Sequence, residues 1–312
     1  MISIIVTAWE EPEEVKECLR RLTTQDYKGD YEILAIAPDE PTKKEIMSYV
    51  EKDPKRIHFQ VQPKEKGKNE MLNLLSKQAK GDVLIFLDGD IWLSENAVSD
   101  IVQMYDDPKI GAVTGRITSR NPKNTKLGFW SHLLVDAGAH LERKERFEKG
   151  EFLECSGYLY SIRNGIIGDI PMDVAEDSVM PLLMYRKGYK IGYAEKAFAS
   201  VSYPETWEKW KSQKVRCAKA HEKMGDYGGE EIKMKSFKNE VSKGTFRALS
   251  YPKNPKEFLW TAELFGARAY IWGYYFYDTK IKKSHYGERW TKIQGDAKAQ
   301  GSTSFNCMEM NE

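Results

Sequence analysis

Apolar and polar positions alternate in blocks along the first third of the chain. Ile2-Ser3-Ile4-Ile5-Val6-Thr7 is a short, nearly continuous apolar run, the pattern of a strand covered on both faces. Pro12 to Thr24 reads as a helix whose proline suits its first turn. Tyr31 to Ala37 predicts a second strand, with a helix from about Thr42. Ile57 to Val61 predicts a third strand, Lys68 to Ala79 a helix, and Val83 to Asp88 a fourth strand. Strand and helix alternate four times, which predicts an α/β chain with a mostly parallel sheet flanked by helices.

Farther on, Asn96 to Tyr105 reads as a helix, Ile110 to Ile117 as a strand and Thr125 to Glu148 as a longer, more polar helix. Phe152 to Ser161 alternates like a strand, followed by a short helical turn around Arg163 to Ile167. Asp173-Val174-Ala175-Glu176-Asp177-Ser178 opens a helix running to about Lys187, and Gly192 to Tyr203 reads as a last pair of strands closed by Pro204. From Thr206 the pattern turns helical and basic, with further helices near Lys235 to Leu249 and from Pro255 to Tyr277. The stretch from Gly295 is small, polar and patternless, as expected of a disordered tail. The expected division is therefore 1–205 as the sheet-bearing unit, 206–294 as a helical C-terminal extension and 295–312 as the tail. There are no internal repeats.

Composition changes this picture little. At 312 residues, 41% apolar and 30% charged, the chain has material for a large core. The net charge of +1 hides an uneven distribution, since residues 206–256 carry thirteen Lys/Arg against six Asp/Glu. Such an excess suits phosphate or an anionic membrane surface, although a solvated helix face produces the same run. Nucleic acid is a weaker reading, kept open by the interleaved Trp207, Trp210 and Phe237, because no groove-reading pattern accompanies them. Cys18, Cys155, Cys217 and Cys307 form no C-x-x-C pair, so neither a zinc site nor a disulfide framework is indicated. With no signal-peptide pattern and no uncharged run of spanning length, a cytoplasmic setting is expected.

Candidate chemistry concentrates at Asp88-Gly89-Asp90. A buried strand that ends in two acids delivers both to the sheet edge where ligands gather in open α/β folds. Acids at i and i+2 point the same way, and the intervening glycine leaves room for a bulky group. Their hard oxygens suit Mg²⁺ or Mn²⁺ already carrying a diphosphate. The loop Thr7-Ala8-Trp9-Glu10-Glu11-Pro12 adds a ring that would either stack on a nucleobase or cover the sheet edge. Glu176 and Asp177 form a second acidic pair, though acids in a first helical turn are also ordinary complements to the helix dipole. G-x-G-x-x-G and P-loop patterns are absent from the first turn and from Gly67-Lys68.

Taken in chain order, these features resemble the family 2 inverting glycosyltransferases of the GT-A fold, over most of residues 1–220. Thr7, Trp9 and Glu11 match the opening loop and Asp39 the acid after the second strand that contacts the base. Gly67-Lys68-Asn69-Glu70-Met71-Leu72-Asn73 echoes a helix start, and Asp88-Gly89-Asp90 matches the metal motif. Glu176-Asp177 matches the base motif, and Gln213-Lys214-Val215-Arg216-Cys217 matches Gln-x-x-Arg-Trp with cysteine in place of tryptophan. The usual Asp-Asp-Gly-Ser is here Ala37-Pro38-Asp39-Glu40. The resemblance implies transfer of one sugar from a UDP- or GDP-linked donor to an acceptor glycan or lipid-linked sugar. It implies Mn²⁺ or Mg²⁺ on Asp88 and Asp90, Asp88 shared with the ribose, and Lys68 and Arg216 near the diphosphate. Gln213 would join the donor site, Asp177 would be the general base and Glu176 its support. The alternatives are a sugar-nucleotide nucleotidyltransferase, whose glycine-rich loop is missing, and a nucleotide- or carbohydrate-binding protein without catalysis. The aromatic segment 258–276, followed by Lys280, Lys282 and Lys283, suggests peripheral contact with the cytoplasmic face of a membrane, or ordinary packing onto the core.

Overall fold

The computed structural model describes residues 1–61, 67–229 and 244–281. Eight strands form one sheet in the order β3-β2-β1-β4-β7-β6-β8-β5. β1 (Ile2–Thr7), β2 (Tyr31–Ala37), β3 (Ile57–Val61) and β4 (Val83–Asp88) run parallel. Beyond them β7 (Leu159–Arg163) is antiparallel to both β4 and β6 (Ile110–Ser119). β6 pairs in parallel with β8 (Lys190–Val201), whose far end carries the two-residue edge strand β5 (Trp92–Leu93).

Period-2 alternation divides the apolar residues of β1 between two layers. Ile2, Ile4 and Val6 pack on Val15, Cys18, Leu19 and Leu22 of α1 (Pro12–Thr23) and on Ile46 of α2 (Glu40–Lys52). Ile5, Leu34, Leu84 and Phe86 face the other way, onto Met71, Leu72 and Leu75 of α3 (Lys68–Gln78) and Val179, Met180 and Leu182 farther along the chain. Each such side chain fully removed from water contributes about 1.5–3 kcal/mol. Covered on both faces, these strands must read as continuous apolar runs, as they do.

α4 (Ala97–Gln103) precedes β6, and α5 (Lys126–Leu133) follows it, capped by the Thr125 hydroxyl on the Gly128 N–H. The predicted helix 125–148 is continuous but widens to a π-helix over Leu134–His140 before α6 (Leu141–Glu148). α7 (Glu176–Arg186) precedes β8, and α8 (Trp207–Lys219), α9 (Thr245–Ser250) and α10 (Pro255–Phe276) follow it. A third apolar cluster joins the C-terminal helices to α5, with Phe129, Trp130 and Leu133 against Trp210, Val215, Leu264, Ala267 and Ile271. The Trp130 indole N–H donates to the Trp260 carbonyl at 2.7 Å.

Three sequence expectations are corrected. Residues 152–158 are not strand, because arginines replace ladder partners: Arg143 donates to the carbonyls of Glu154 and Cys155, and Arg146 to that of Phe152. No helical turn follows Arg163, which ends β7, and Gly165 adopts φ +76° in the turn there. Residues 192–203 supply one long strand, not two. Most of the helix expected at 235–249, together with Lys282, Lys283 and the tail from Gly295, lies outside the described residues.

Candidate active site

The register of the central strands sets the site. Thr7 lies opposite Asp88 across β1 and β4, and its hydroxyl donates to Asp88 Oδ1 at 3.3 Å. The chain then turns so tightly that a Cβ on Gly89 would stand 2.5 Å from the Ala8 Cβ, while the Gly89 N–H donates to the Thr7 carbonyl at 2.8 Å. The glycine thus makes room for the β1–α1 loop, not for a bulky ligand group as its spacing suggested.

That loop is locked from β2. Glu10 adopts φ +53°, a conformation side chains other than glycine rarely take, and donates its N–H to Asp39 Oδ2 at 2.7 Å. Asp39 Oδ1 caps α2 by accepting the Thr42 N–H at 3.0 Å, and the Thr42 hydroxyl accepts the Glu11 N–H at 2.9 Å. Asp39, Glu11 and the half-buried Trp9 are thereby gathered at the C-terminal edge of β1 and β2.

Asp90 has a different environment. Its Oδ1 is buried with no hydrogen-bond partner among the described residues, and burial together with the Asp88 charge pushes its carboxyl up to about 6 against the pull of Arg120. The Arg120 guanidinium donates to the Asp90 carbonyl and to Glu14 Oε2, both at 3.1 Å, and covers the Trp92 ring at 4.1 Å. Trp92, exposed on the edge strand, donates its indole N–H to the same Glu14 oxygen at 3.2 Å. Among the described residues no group of three or more His, Cys, Asp or Glu side chains is placed to hold a metal. Two carboxylates, one with a buried oxygen lacking a donor, fit an ion that takes its remaining ligands from water and diphosphate. Asp88 and Asp90 are the residues that would hold Mn²⁺ or Mg²⁺.

Lys68, in the first turn of α3, links the two acidic pairs. Its ammonium lies 2.8 Å from Asp88 Oδ1 and 2.8 Å from Glu176 Oε1. Burial works against that charge, but the two carboxylates outweigh it and hold the lysine above its ordinary range. Glu176, buried at the start of α7, is shifted upward by desolvation, opposed by Lys68 and reinforced by Asp177. Asp177 is half-buried. The Gly157 N–H donates to its Oδ2 at 2.9 Å, and the Ser178 hydroxyl stands 3.4 Å from its Oδ1. The Tyr160 hydroxyl, buried with its ring stacked on Phe86 at 4.8 Å, has no partner among the described residues.

Gln213 and Arg216 share one face of α8, spaced i, i+3. Gln213 Oε1 is buried without a partner among the described residues, and Arg216 is exposed. Burial raises the Tyr158 hydroxyl well above its ordinary range, with smaller contributions from Tyr203, Asp90, Cys217 and Asp88. Sequence reasoning missed Arg120, Glu14, Trp92 and Tyr160, and gave no role to Ser178 although it directly follows Asp177. The first four belong to no local pattern, and only strand order brings the end of β6 beside Asp90.

Residues 3–163 match glycosyl transferase family 2. The chain is similar to an N-acetylglucosaminyltransferase of Rhizobium meliloti (strain 1021), 24% identical over 239 residues, covering 70% of this chain and 55% of that protein. One from Rhizobium leguminosarum bv. viciae is 25% identical over 238 residues with the same coverage. The chain thus spans about half the length of the curated relatives it matches. In fold it resembles a mannosyltransferase from Pyrobaculum calidifontis in complex with GDP-Man and Mn²⁺, at TM-score 0.57 and 17% identity, over 91% of this chain and 80% of that one.

Proposed function

Because the chain belongs to glycosyl transferase family 2, we propose that it transfers one sugar from a nucleoside diphosphate sugar to an acceptor hydroxyl, with inversion. The observation that carries this reading is Lys68. By pairing with Asp88 and Glu176 it holds a donor-side acid pair and an acceptor-side acid pair in one site.

In the reaction the acceptor oxygen bonds to the anomeric carbon as the bond to the diphosphate breaks, and the acceptor proton passes to Asp177. Such general-base help contributes roughly 10²–10⁴-fold. Gly157 aims one carboxylate oxygen of Asp177, and Glu176 and Lys68 fix the start of α7. On the donor side Trp9, Glu11 and Asp39 form a ledge for the base and ribose beside Thr7 and Asp88, while Gln213 and Arg216 face the diphosphate, where a guanidinium fork suits phosphate oxygens. Mn²⁺ or Mg²⁺ on Asp88 and Asp90 would supply Lewis-acid neutralisation of the charge gathering on the leaving group. The names of the relatives support an N-acetylhexosamine donor, the structural neighbour a GDP-linked one.

A screen of UDP- and GDP-sugars for nucleoside diphosphate release with Mn²⁺ tests the reading, since slow hydrolysis needs no acceptor. Asp177→Asn should bind the active donor within about twofold of wild type and lose at least about 10²-fold in turnover. Binding without turnover in the wild-type chain would leave a nucleotide-binding protein.

The acceptor side faces a membrane in this proposal. Among the described residues no helix is long and apolar enough to cross one. α10 buries Leu264, Ala267 and Ile271 but exposes Leu259, Tyr270 and Phe276, with Tyr277 exposed just past its end and Lys253, Lys256 and Lys280 exposed around them. Aromatic rings beside lysines suit a peripheral helix on the anionic cytoplasmic face, presenting a lipid-linked acceptor. The protein should float with anionic vesicles at low salt and not with neutral ones.

A further inference from the structure

Behind the acid pair lies a chain of polar side chains that the reaction above does not use. The Ala175 N–H donates to the Ala220 carbonyl at 3.3 Å, which seats the end of α8 against the start of α7 and brings His221 beside Ser178. The turn after His221 is held from the same side, with Lys223 and Tyr227 both bonded to Asp173 at 2.8 and 2.6 Å. The His221 Nδ1 lies 2.7 Å from the Cys217 carbonyl. Its Nε2 lies 2.9 Å from Ser178 Oγ and 3.2 Å from Oε2 of Glu154, a carboxylate buried to 2% exposure. Ser178 Oγ in turn stands 3.4 Å from Asp177 Oδ1.

Counting protons orders this chain. A carbonyl only accepts, so the hydrogen between His221 and Cys217 sits on Nδ1. A bare Nε2 and an ionised Glu154 oxygen would be two acceptors face to face, so a second hydrogen lies between them. Placed on Glu154, it would compete with the Ser178 hydroxyl for one ring lone pair. Placed on Nε2, it serves both Glu154 and Ser178 Oγ, and the serine hydrogen is left for Asp177. We infer that His221 is a positioning residue for the base. Held by Glu154 and Cys217, it turns the Ser178 hydroxyl toward Asp177 Oδ1 while Gly157 holds Oδ2, so that both carboxylate oxygens are aimed.

The inference rests on Asp177 being the base, and its test separates the two. In the full chain with Mn²⁺, nucleoside diphosphate release is followed with UDP-N-acetylglucosamine and GDP-mannose as probes in wild type, Ser178→Ala, His221→Phe, their double variant and Asp177→Asn. Each single change should lower kcat on the order of tenfold with the donor KM unchanged, because binding is intact and the base is misaimed. The double variant should be no slower than the slower single, because His221 acts through Ser178. Multiplicative losses, or full kcat in either folded single variant beside an inactive Asp177→Asn, would overturn the role of His221. Turnover in Asp177→Asn would instead overturn the assignment of the base. A second readout needs no substrate. In ¹⁵N-histidine-labelled protein the resonances lost in His221→Phe should show a hydrogen on both ring nitrogens, and one bare nitrogen would refute the arrangement.

Discussion

At the scale of single residues the site depends on two short-range facts. Asp90 keeps a buried oxygen without a donor among the described residues, beside the Asp88 charge, a costly state for a metal-free carboxylate. Asp90→Asn removes the negative charge but keeps the shape, so calorimetry with UDP or GDP should find Mn²⁺-dependent binding abolished while the melting temperature holds or rises. Unchanged metal-dependent affinity would count against Asp90 as a ligand. Gly89 is the other fact. Its added Cβ would meet Ala8 at 2.5 Å, so Gly89→Ala forces the β1–α1 loop or the acidic turn to move. A destabilisation of about 1–3 kcal/mol is expected, and circular dichroism melts would measure it. The loop that shifts carries Trp9 and Glu11, so nucleotide affinity should fall with stability.

At the scale of elements, helix ends place the chemistry. α7 begins with Glu176 and Asp177, and Pro181, four residues after Asp177, cannot donate to the Asp177 carbonyl. That helix start is therefore held from outside, by Lys68, Gly157 and the end of α8. α1 shows the same logic on the far side of Asp90. Glu17 takes Arg20 and Arg21, and Arg21 reaches the Leu93 carbonyl at 3.1 Å, tying α1 to the edge strand beside Trp92. The Arg20 hydrogen bond, helped by that of Arg21 and by both charges, holds the Glu17 carboxyl down at about 2 against the opposing cost of desolvation. A depressed carboxylate contributes stability that is present above its ordinary value and is lost as pH falls through the depressed one. Glu17→Gln should thus lower the melting temperature by about 1–2 °C near pH 7, a small effect because the partners are solvated. The difference should vanish as pH approaches about 2. A difference that persists there would place the effect in packing, not charge.

At the scale of the whole molecule the third apolar cluster decides how the C-terminal helices behave. Phe129 and Trp130 belong to the segment after β6, yet they pack with Trp210, Leu264 and Ile271 of α8 and α10. A helical extension sharing its core with the sheet-bearing part should unfold with it. Leu264→Ala, which opens a cavity worth about 2–5 kcal/mol, should lower a single common transition read by far-UV circular dichroism and by tryptophan fluorescence. Two separated transitions would show that residues beyond 205 fold independently. The same cluster gives α10 two faces, since the side packed on α5 leaves Phe258, Leu259 and Phe276 in solvent.

Composition and pattern alone determined the α/β class, four βα units in their right places, and the acids at the ends of β4 and at the start of α7. These are local properties. A strand covered on both faces must be apolar along its length, and acids in a first helical turn complement the helix dipole. Tertiary structure alone decided what those acids touch. Lys68 stands twenty residues from Asp88 and far from Glu176 in sequence, and Arg120 reaches Asp90 only because β6 lies two strands from β4. Segment 152–158 alternates like a strand, but arginines of α6 take carbonyls that a neighbouring strand would have paired. His221, Ser178 and Glu154 form a network only where α8 meets α7. Periodicity reports the burial of each element against water, whereas these contacts depend on the order in which elements are laid side by side, a long-range outcome that no local window of sequence carries.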